Sequence, residues 1–121
     1  MRLLVLGMSH KTASVEVREP FAVPQEQHPI LLRTLVESPE VEEAMVLSTC
    51  NRVEVYAVPA AGESRAAEEV LYAALATHRG LSRRSLNGTT YCLSGRDAVH
   101  HLLRVTASLD SMVVGIKGGA R

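Results

Sequence analysis

The segment Leu47-Ser48-Thr49-Cys50-Asn51-Arg52 places a thiol between hydroxyl, amide and guanidinium side chains. A thiol of this kind can act as a nucleophile once it ionises. Arg52, two residues on, is a cation that would favour the thiolate. Backbone N–H groups of a tight turn could stabilise an oxyanion there. The residue types alone leave a second reading open, in which Cys50 is a small buried hydrophobe and Arg52 a solvated turn residue. Cys92, within Tyr91-Cys92-Leu93, reads as core. His101 lies one position off the apolar stripe of the last helix and so borders a cleft. A positioned imidazole there could serve as general base or hydrogen-bond donor, or simply sit on the helix surface. Ser111, ten residues further along that helix, would line the same side of a groove. His10-Lys11-Thr12-Ala13 reads as a loop that either lends polar groups to a site or is solvated.

These residues need a scaffold. Leu3 to Leu6 is a short continuous apolar run before Gly7 and reads as a buried strand. Pro24 to Ser38 reads as a helix that Pro39 ends. Ala44 to Ser48 is a second strand, and Val53 to Val58 alternates as a third. Ser64 is placed to cap a helix that stops at Arg79-Gly80. Thr89 to Leu93 is a fourth strand. Ala98, Leu102, Val105, Leu109 and Met112 form the stripe of a final helix. The order predicts an α+β fold, a ferredoxin-like split βαβ-βαβ with an additional C-terminal helix. The Cys50 segment falls at the connection between the second and third strands, where a rigid scaffold can present it.

Composition sets limits. The chain has 121 residues, 13 basic and 13 acidic side chains, and 46% hydrophobic content. That suits one globular domain and counts against disorder. Neutrality argues against a binder that works by charge alone, and DNA is not an expected partner. No apolar run approaches the roughly 18 residues of a spanning helix, so no membrane partner is expected, and the cytoplasm is the expected compartment. Two cysteines and five scattered histidines make no metal motif. Gly115-Ile116-Lys117-Gly118-Gly119 matches no phosphate-binding or dinucleotide fingerprint. His78, Arg79, Arg83 and Arg84 form a basic cluster that suits a helix C-terminus.

Three stretches carry a resemblance. They are Gly7-Met8-Ser9-His10-Lys11-Thr12-Ala13 with Val15-Glu16-Val17-Arg18-Glu19, Leu47 to Tyr56 with its Ser-Thr-Cys-Asn-Arg block, and Ala98 to Val105 with Ser108 to Gly115. In order and spacing the chain resembles the N-terminal catalytic domain of the glutamyl-tRNA reductases, the family that opens the five-carbon route to tetrapyrroles (porphyrins). The resemblance implies that Cys50 attacks the glutamyl-tRNA ester, that a glutamyl thioester forms, and that NADPH reduces it to glutamate-1-semialdehyde. It implies catalytic roles for Cys50 and His101 and substrate-binding roles for Thr49, Asn51, Arg52 and Ser111. Arg52 is assigned to the substrate α-carboxylate; separately, the closeness of Glu54 in sequence suggests that it holds Arg52 in place. The resemblance further implies a homodimer of the full-length enzyme and a complex with glutamate-1-semialdehyde aminomutase. Residues 1–115 are expected to be the catalytic domain. Residues 116–121 are expected to be a divergent tail, with the NADPH-binding Rossmann and dimerisation domains absent. No cofactor is expected on this stretch alone, which would carry out only the acyl-transfer half-reaction.

Two other readings stand beside it. One is a non-catalytic ferredoxin-like module that binds RNA or a small ligand, using strand aromatics as a stacking surface. Only Tyr56 and Tyr91 fall on predicted strands, which counts against it. The other is a Cys/His hydrolase.

Overall fold

The structure, a computed structural model, describes residues 2–78 and 80–116, with side chains described through residue 108. Four strands, β1 (Leu4–Ser9), β2 (Val41–Ser48), β3 (Arg52–Pro59) and β4 (Tyr91–Ser94), form one sheet in the order β2-β3-β1-β4. Every pairing is antiparallel. The helices are α1 (Val15–Arg18), α2 (His28–Val36), α3 (Ser64–Thr77) and α4 (Gly95–Ile116). The chain is thus a mixed α+β domain, as its sequence pattern predicts.

The sheet is covered on both faces. Leu4, Leu6, Met8, Val53, Val55 and Ala57 point to one side and pack against Leu31 and Leu35 of α2 and Ala67, Leu71 and Leu75 of α3. The alternate residues Val5 and Tyr56 point the other way, with Leu3 beside them. There they join Ala98, Val99 and Leu102 of α4. Two buried faces explain why β1 reads as a continuous apolar run rather than an alternating one. The register then fixes the site: Gly7 stands opposite Glu54 on β3 and opposite Tyr91 on β4.

Several boundaries differ from the sequence expectation, each for a local reason. The helix expected from Pro24 begins at His28, and residues Gln25–Gln27 form a separate 3-10 turn. Pro29 lies in the first turn of α2, where its missing N–H is harmless. Further back it would clash with the preceding turn. Ser64 is not a cap: it is the first residue of α3, and Glu63 stands at the N-cap. Gly80 does end that helix, with φ +69° and bonds from Gly80 N–H to the Thr77 carbonyl and Leu81 N–H to the Ala76 carbonyl, each 2.9 Å. β4 begins at Tyr91, not Thr89, because the hydroxyls of Thr89 and Thr90 donate back to the Leu86 carbonyl at 3.2 and 3.1 Å. The start of α4 is tied to β1 by Gly95 N–H donating to the Leu3 carbonyl at 2.8 Å.

Candidate active site

Cys50 sits exposed at the turn between β2 and β3. Thr49 builds the turn. Its backbone N–H donates to the Arg52 carbonyl at 2.8 Å, and its hydroxyl oxygen accepts from the N–H groups of Asn51 and Arg52, each at 3.2 Å. A residue able to fold its side chain back onto a turn is needed here, which Thr supplies. The Asn51 carbonyl accepts from His10 N–H at 2.9 Å, joining this turn to the loop after β1. That loop is itself closed by Ser9 and Thr12: Ser9 N–H donates to the Thr12 hydroxyl at 3.0 Å, and Thr12 N–H to the Ser9 carbonyl at 3.0 Å. Ser48, the last residue of β2, accepts from Val23 N–H at 3.1 Å and holds the segment before α2 against the strand end.

A residue not anticipated from sequence anchors the Cys50 turn. Arg18, at the end of α1, is buried. Its Nη1 donates to the Ala13 carbonyl at 2.8 Å and its Nη2 to the Cys50 carbonyl at 3.2 Å. One guanidinium thereby ties the loop after β1 to the turn that carries the thiol. The sequence signal was a lone Arg in a four-residue helix, and its acceptors are backbone carbonyls, which no residue pattern discloses.

Glu54 is the centre of the second layer. It is fully buried, on β3, on the face covered by α4. Arg52 Nη1 donates to Glu54 Oε2 at 3.2 Å, and the Tyr56 hydroxyl donates to Oε1 at 2.6 Å. The Tyr91 hydroxyl donates to Oε2, and His101 Nε2 bonds the same oxygen. The Tyr91 and His101 rings also contact each other, with centroids 5.2 Å apart and planes tilted by 56°. Burial pushes the Glu54 carboxyl up, but the hydrogen bonds from Tyr56, Tyr91 and His101, with the charge of His101, outweigh it and hold the carboxyl below its ordinary value. Burial, then the hydrogen bond to Glu54 and its negative charge, push both tyrosine hydroxyls up, so they remain donors.

Gly7 is what allows this arrangement. A Cβ there would come within 2.7 Å of Glu54 Cγ, 2.8 Å of the Val53 carbonyl oxygen and 3.2 Å of the Tyr91 hydroxyl. The Glu54 side chain crosses the sheet over a strand position that has no side chain of its own.

Three hollows surround the turn. One of about 130 Å³ is lined by His10, Thr49, Cys50, Asn51, Arg52, Val105 and Ser108. A second of about 140 Å³ shares Arg52, Val105 and Ser108 with it and adds Ser9, Lys11, His101 and Arg104. The third, about 230 Å³, lies toward α1 and includes Arg18, Glu19, Thr49 and Cys50. Of the expected site residues, Thr49, Cys50, Asn51 and Arg52 come together in one hollow. His101 faces the adjoining one. The Ser111 side chain lies outside the described residues, as do residues 117–121 of the expected tail and Arg79 of the basic cluster. Of that cluster, Arg83 pairs with Glu69 and lies 4.4 Å over the Tyr72 ring, which gives it a structural role. Cys92 is partly buried against the core, and burial together with nearby Glu68 pushes its thiol up to about 11. Glu68 is a polar neighbour that the sequence did not reveal.

The aromatic residues do not form an open stacking surface. Tyr56 is buried beneath α4, and the hydroxyls of Tyr56 and Tyr91 are both committed to Glu54. A Cys/His pair is not formed either: His101 Nε2 is directed at Glu54. Among the described residues no cluster of His, Cys, Asp or Glu could hold a metal ion, and no helix is long and apolar enough to cross a membrane.

An α+β domain that presents an exposed thiol on a fixed turn, beside a hollow lined by Lys11, Arg52 and Arg104, narrows the class of protein. Comparison with known proteins makes the class specific. The family model described as "Glutamyl-tRNAGlu reductase, N-terminal domain" matches residues 6–117. Curated glutamyl-tRNA reductases from Syntrophotalea carbinolica and Solibacter usitatus are 46% and 47% identical to this chain over 115 residues. Each alignment covers 95% of this chain and 26% or 27% of the relative. The solved glutamyl-tRNA reductase of Methanopyrus kandleri is similar in structure, with a TM-score of 0.63 at 32% identity, over 93% of this chain and 24% of that one. The chain belongs to the family of glutamyl-tRNA reductase N-terminal domains. It spans about a quarter of the length of the curated relatives it matches.

Proposed function

We propose that this chain is the acyl-transfer domain of a glutamyl-tRNA reductase, an enzyme of tetrapyrrole formation, and that Cys50 is its nucleophile. The observation that carries the reading is the position of Cys50: exposed, on a turn fixed by Thr49, His10 and Arg18, and opening into a hollow with Arg52 in its wall. The Cys50 sulfur attacks the carbonyl carbon of the glutamyl ester. A C–S bond forms, the ester C–O bond breaks, and the ribose hydroxyl of the tRNA leaves with the proton. Splitting one difficult reduction into an acyl transfer and a later reduction is the ordinary advantage of covalent catalysis.

Thr49, Asn51 and Arg52 frame the acyl group, with Ser111 assigned to it by family resemblance. One assignment changes on chemical grounds. The α-carboxyl of the glutamyl group is the esterified, reacting one, so it is not available to a guanidinium. Arg52 therefore grips the side-chain carboxylate instead, with Glu54 fixing its Nη1. His101 is held by Glu54 and lines the hollow beyond Arg52, which suits it to hydrogen bonding with the bound substrate more than to direct contact with the thiol. The strand order β2-β3-β1-β4 with antiparallel neighbours supports reading the fold as the split βαβ arrangement.

The family implies NADPH as the reductant. A dinucleotide is usually seated at the carboxyl edge of parallel strands, over a glycine-rich turn. Here every strand pairing is antiparallel, and the glycines with positive φ (Gly62, Gly80, Gly88 and Gly95) are scattered over separate turns. The described residues do not fit the cofactor, and no reductive step is assigned to them. Homodimerisation, a partnership with glutamate-1-semialdehyde aminomutase and a cytoplasmic setting belong to the same proposal and rest on the family resemblance.

The test is direct. The chain is incubated with glutamyl-tRNA, and acyl transfer to protein is read by mass spectrometry. Labelling of the wild type and its loss in Cys50→Ser is the expected result. Equal labelling of the two overturns the assignment.

A further inference from the structure

The hollow beyond Arg52 has a charge that the acyl-transfer chemistry leaves unexplained. Lys11, Arg52, His101 and Arg104 stand in its wall, with only Val105 as an apolar lining. Glu54 is the one carboxylate bonded to this lining among the described residues, and it is already shared by Arg52 and His101. Among the described residues neither Lys11 nor Arg104 makes an ion pair. Two exposed cations thus face one small polar hollow with no ion-pair partner among the described residues, in a chain whose overall charge is zero. Ser9 and Ser108 line the same hollow and can add neutral donors, a mixture that suits a tetrahedral oxyanion.

The position of the hollow says which anion. It is continuous with the Cys50 hollow through Arg52, Val105 and Ser108. A substrate whose ester carbonyl lies at Cys50 and whose side-chain carboxylate is taken by Arg52 still carries a ribose on the ester oxygen. The phosphodiester of that terminal nucleotide follows within a few bonds. We propose that Lys11 and Arg104 seat a phosphodiester of the tRNA acceptor end and so set the angle at which the ester meets the thiol. The inference rests on the acyl-transfer reading for the identity of the ligand, and it deepens that reading by naming where the nucleic acid is held. Lys11 follows Ser9, the last residue of β1, and Arg104 projects from α4, so the two cations grip the anion from two different elements.

The experiment measures binding and acylation separately. Cys50→Ser protein, which lacks the thiol, is titrated with an uncharged minihelix ending in the tRNA acceptor sequence, which has no acyl group to transfer, over a range of salt. Lys11→Met and Arg104→Met in that background are expected to weaken binding several-fold each. Each is also expected to reduce the slope of log affinity against log salt by about 0.7, the value for one single-strand phosphate contact. Arg33→Met, on α2 at the opposite face of the sheet, controls for overall charge. An unchanged affinity and slope in the Lys11 and Arg104 variants overturns the proposal, and so does an equal loss in Arg33→Met. Displacement of the minihelix by free glutamate but not by inorganic phosphate also overturns it, because the hollow would then be a carboxylate seat. Failure of wild-type acylation with the binding pattern intact rejects the acyl-transfer reading and leaves the phosphate seat standing.

Discussion

Gly7 and Glu54 face each other across the β1–β3 ladder, and the carboxylate side chain of one lies over the backbone of the other. The pair shows how a sheet interior can hold a charge: a strand position gives up its side chain so that a neighbour's can cross. Gly7→Ala is expected to lower stability by about 1–3 kcal/mol, the usual range for overpacking a filled interior. The close contacts include the Val53 carbonyl, which is backbone and cannot move aside like a side-chain tip. Urea denaturation would measure the loss, and an unchanged midpoint would contradict the packing described.

Glu54 accepts from Arg52, Tyr56, Tyr91 and His101 at once. Replacing it by Leu leaves four donors without their acceptor between the sheet and α4. A loss of about 3–5 kcal/mol is expected, as when one partner of a buried ionic group is removed. Glu54→Gln keeps the shape and one acceptor and should cost less. Chemical denaturation of the two variants side by side checks the order.

The same carboxylate predicts a pH dependence. Its folded value lies below its unfolded one, so its contribution is complete above about 4.3 and is lost as the pH falls through the folded value. Tyr56 and Tyr91 have the opposite sign. Their folded values are raised, so stability is retained below about 10 and lost as the pH rises above it. The stability profile should therefore fall at both ends. Glu54→Gln should flatten the acid limb, which denaturant midpoints across the pH range would show.

The two thiols should separate by reagent. Cys50 is exposed, whereas Cys92 is partly buried with its thiol pushed up to about 11. Alkylation of the folded chain near pH 8 is expected to modify Cys50 and spare Cys92, with both reacting after denaturation. Peptide mass mapping distinguishes the sites. Modification of Cys92 at the rate of Cys50 would contradict the burial.

Arg18→Met removes the tie between the Ala13 and Cys50 carbonyls. A cost of about 1–3 kcal/mol is expected from leaving acceptors without their donor, reduced by the removal of a buried cation. Amide hydrogen exchange should quicken in residues 10–13 and 49–52, and little at α3.

Much of the frame was legible in sequence because burial writes itself as pattern. The run Leu3 to Leu6 marks a strand covered on both faces, and the stripe of Ala98, Leu102 and Val105 marks the helix that covers one of them. The Arg52–Glu54 contact was also within reach, since residues two apart on a strand share a face. What stayed hidden depends on register or on backbone acceptors. Nothing local brings Tyr91 and His101 to Glu54, because that needs β4 beside β1 and α4 above both. Arg18 was hidden for the second reason: it bonds carbonyls, which every residue has. The short α1 could not be anticipated, as four residues do not display a helical period.

The first strand lies inside the sheet, between β3 and β4. Its two neighbours come from later parts of the chain, the last of them just before α4. Such non-local pairing incurs loop-closure entropy before any contact repays it, which slows assembly. Glu54 gains its full set of donors only when the last strand and the last helix have arrived. The hydrogen-bond set around Glu54 is therefore a late event of folding, and a chain that stalls with β4 undocked would leave the buried carboxylate without its Tyr91 donor.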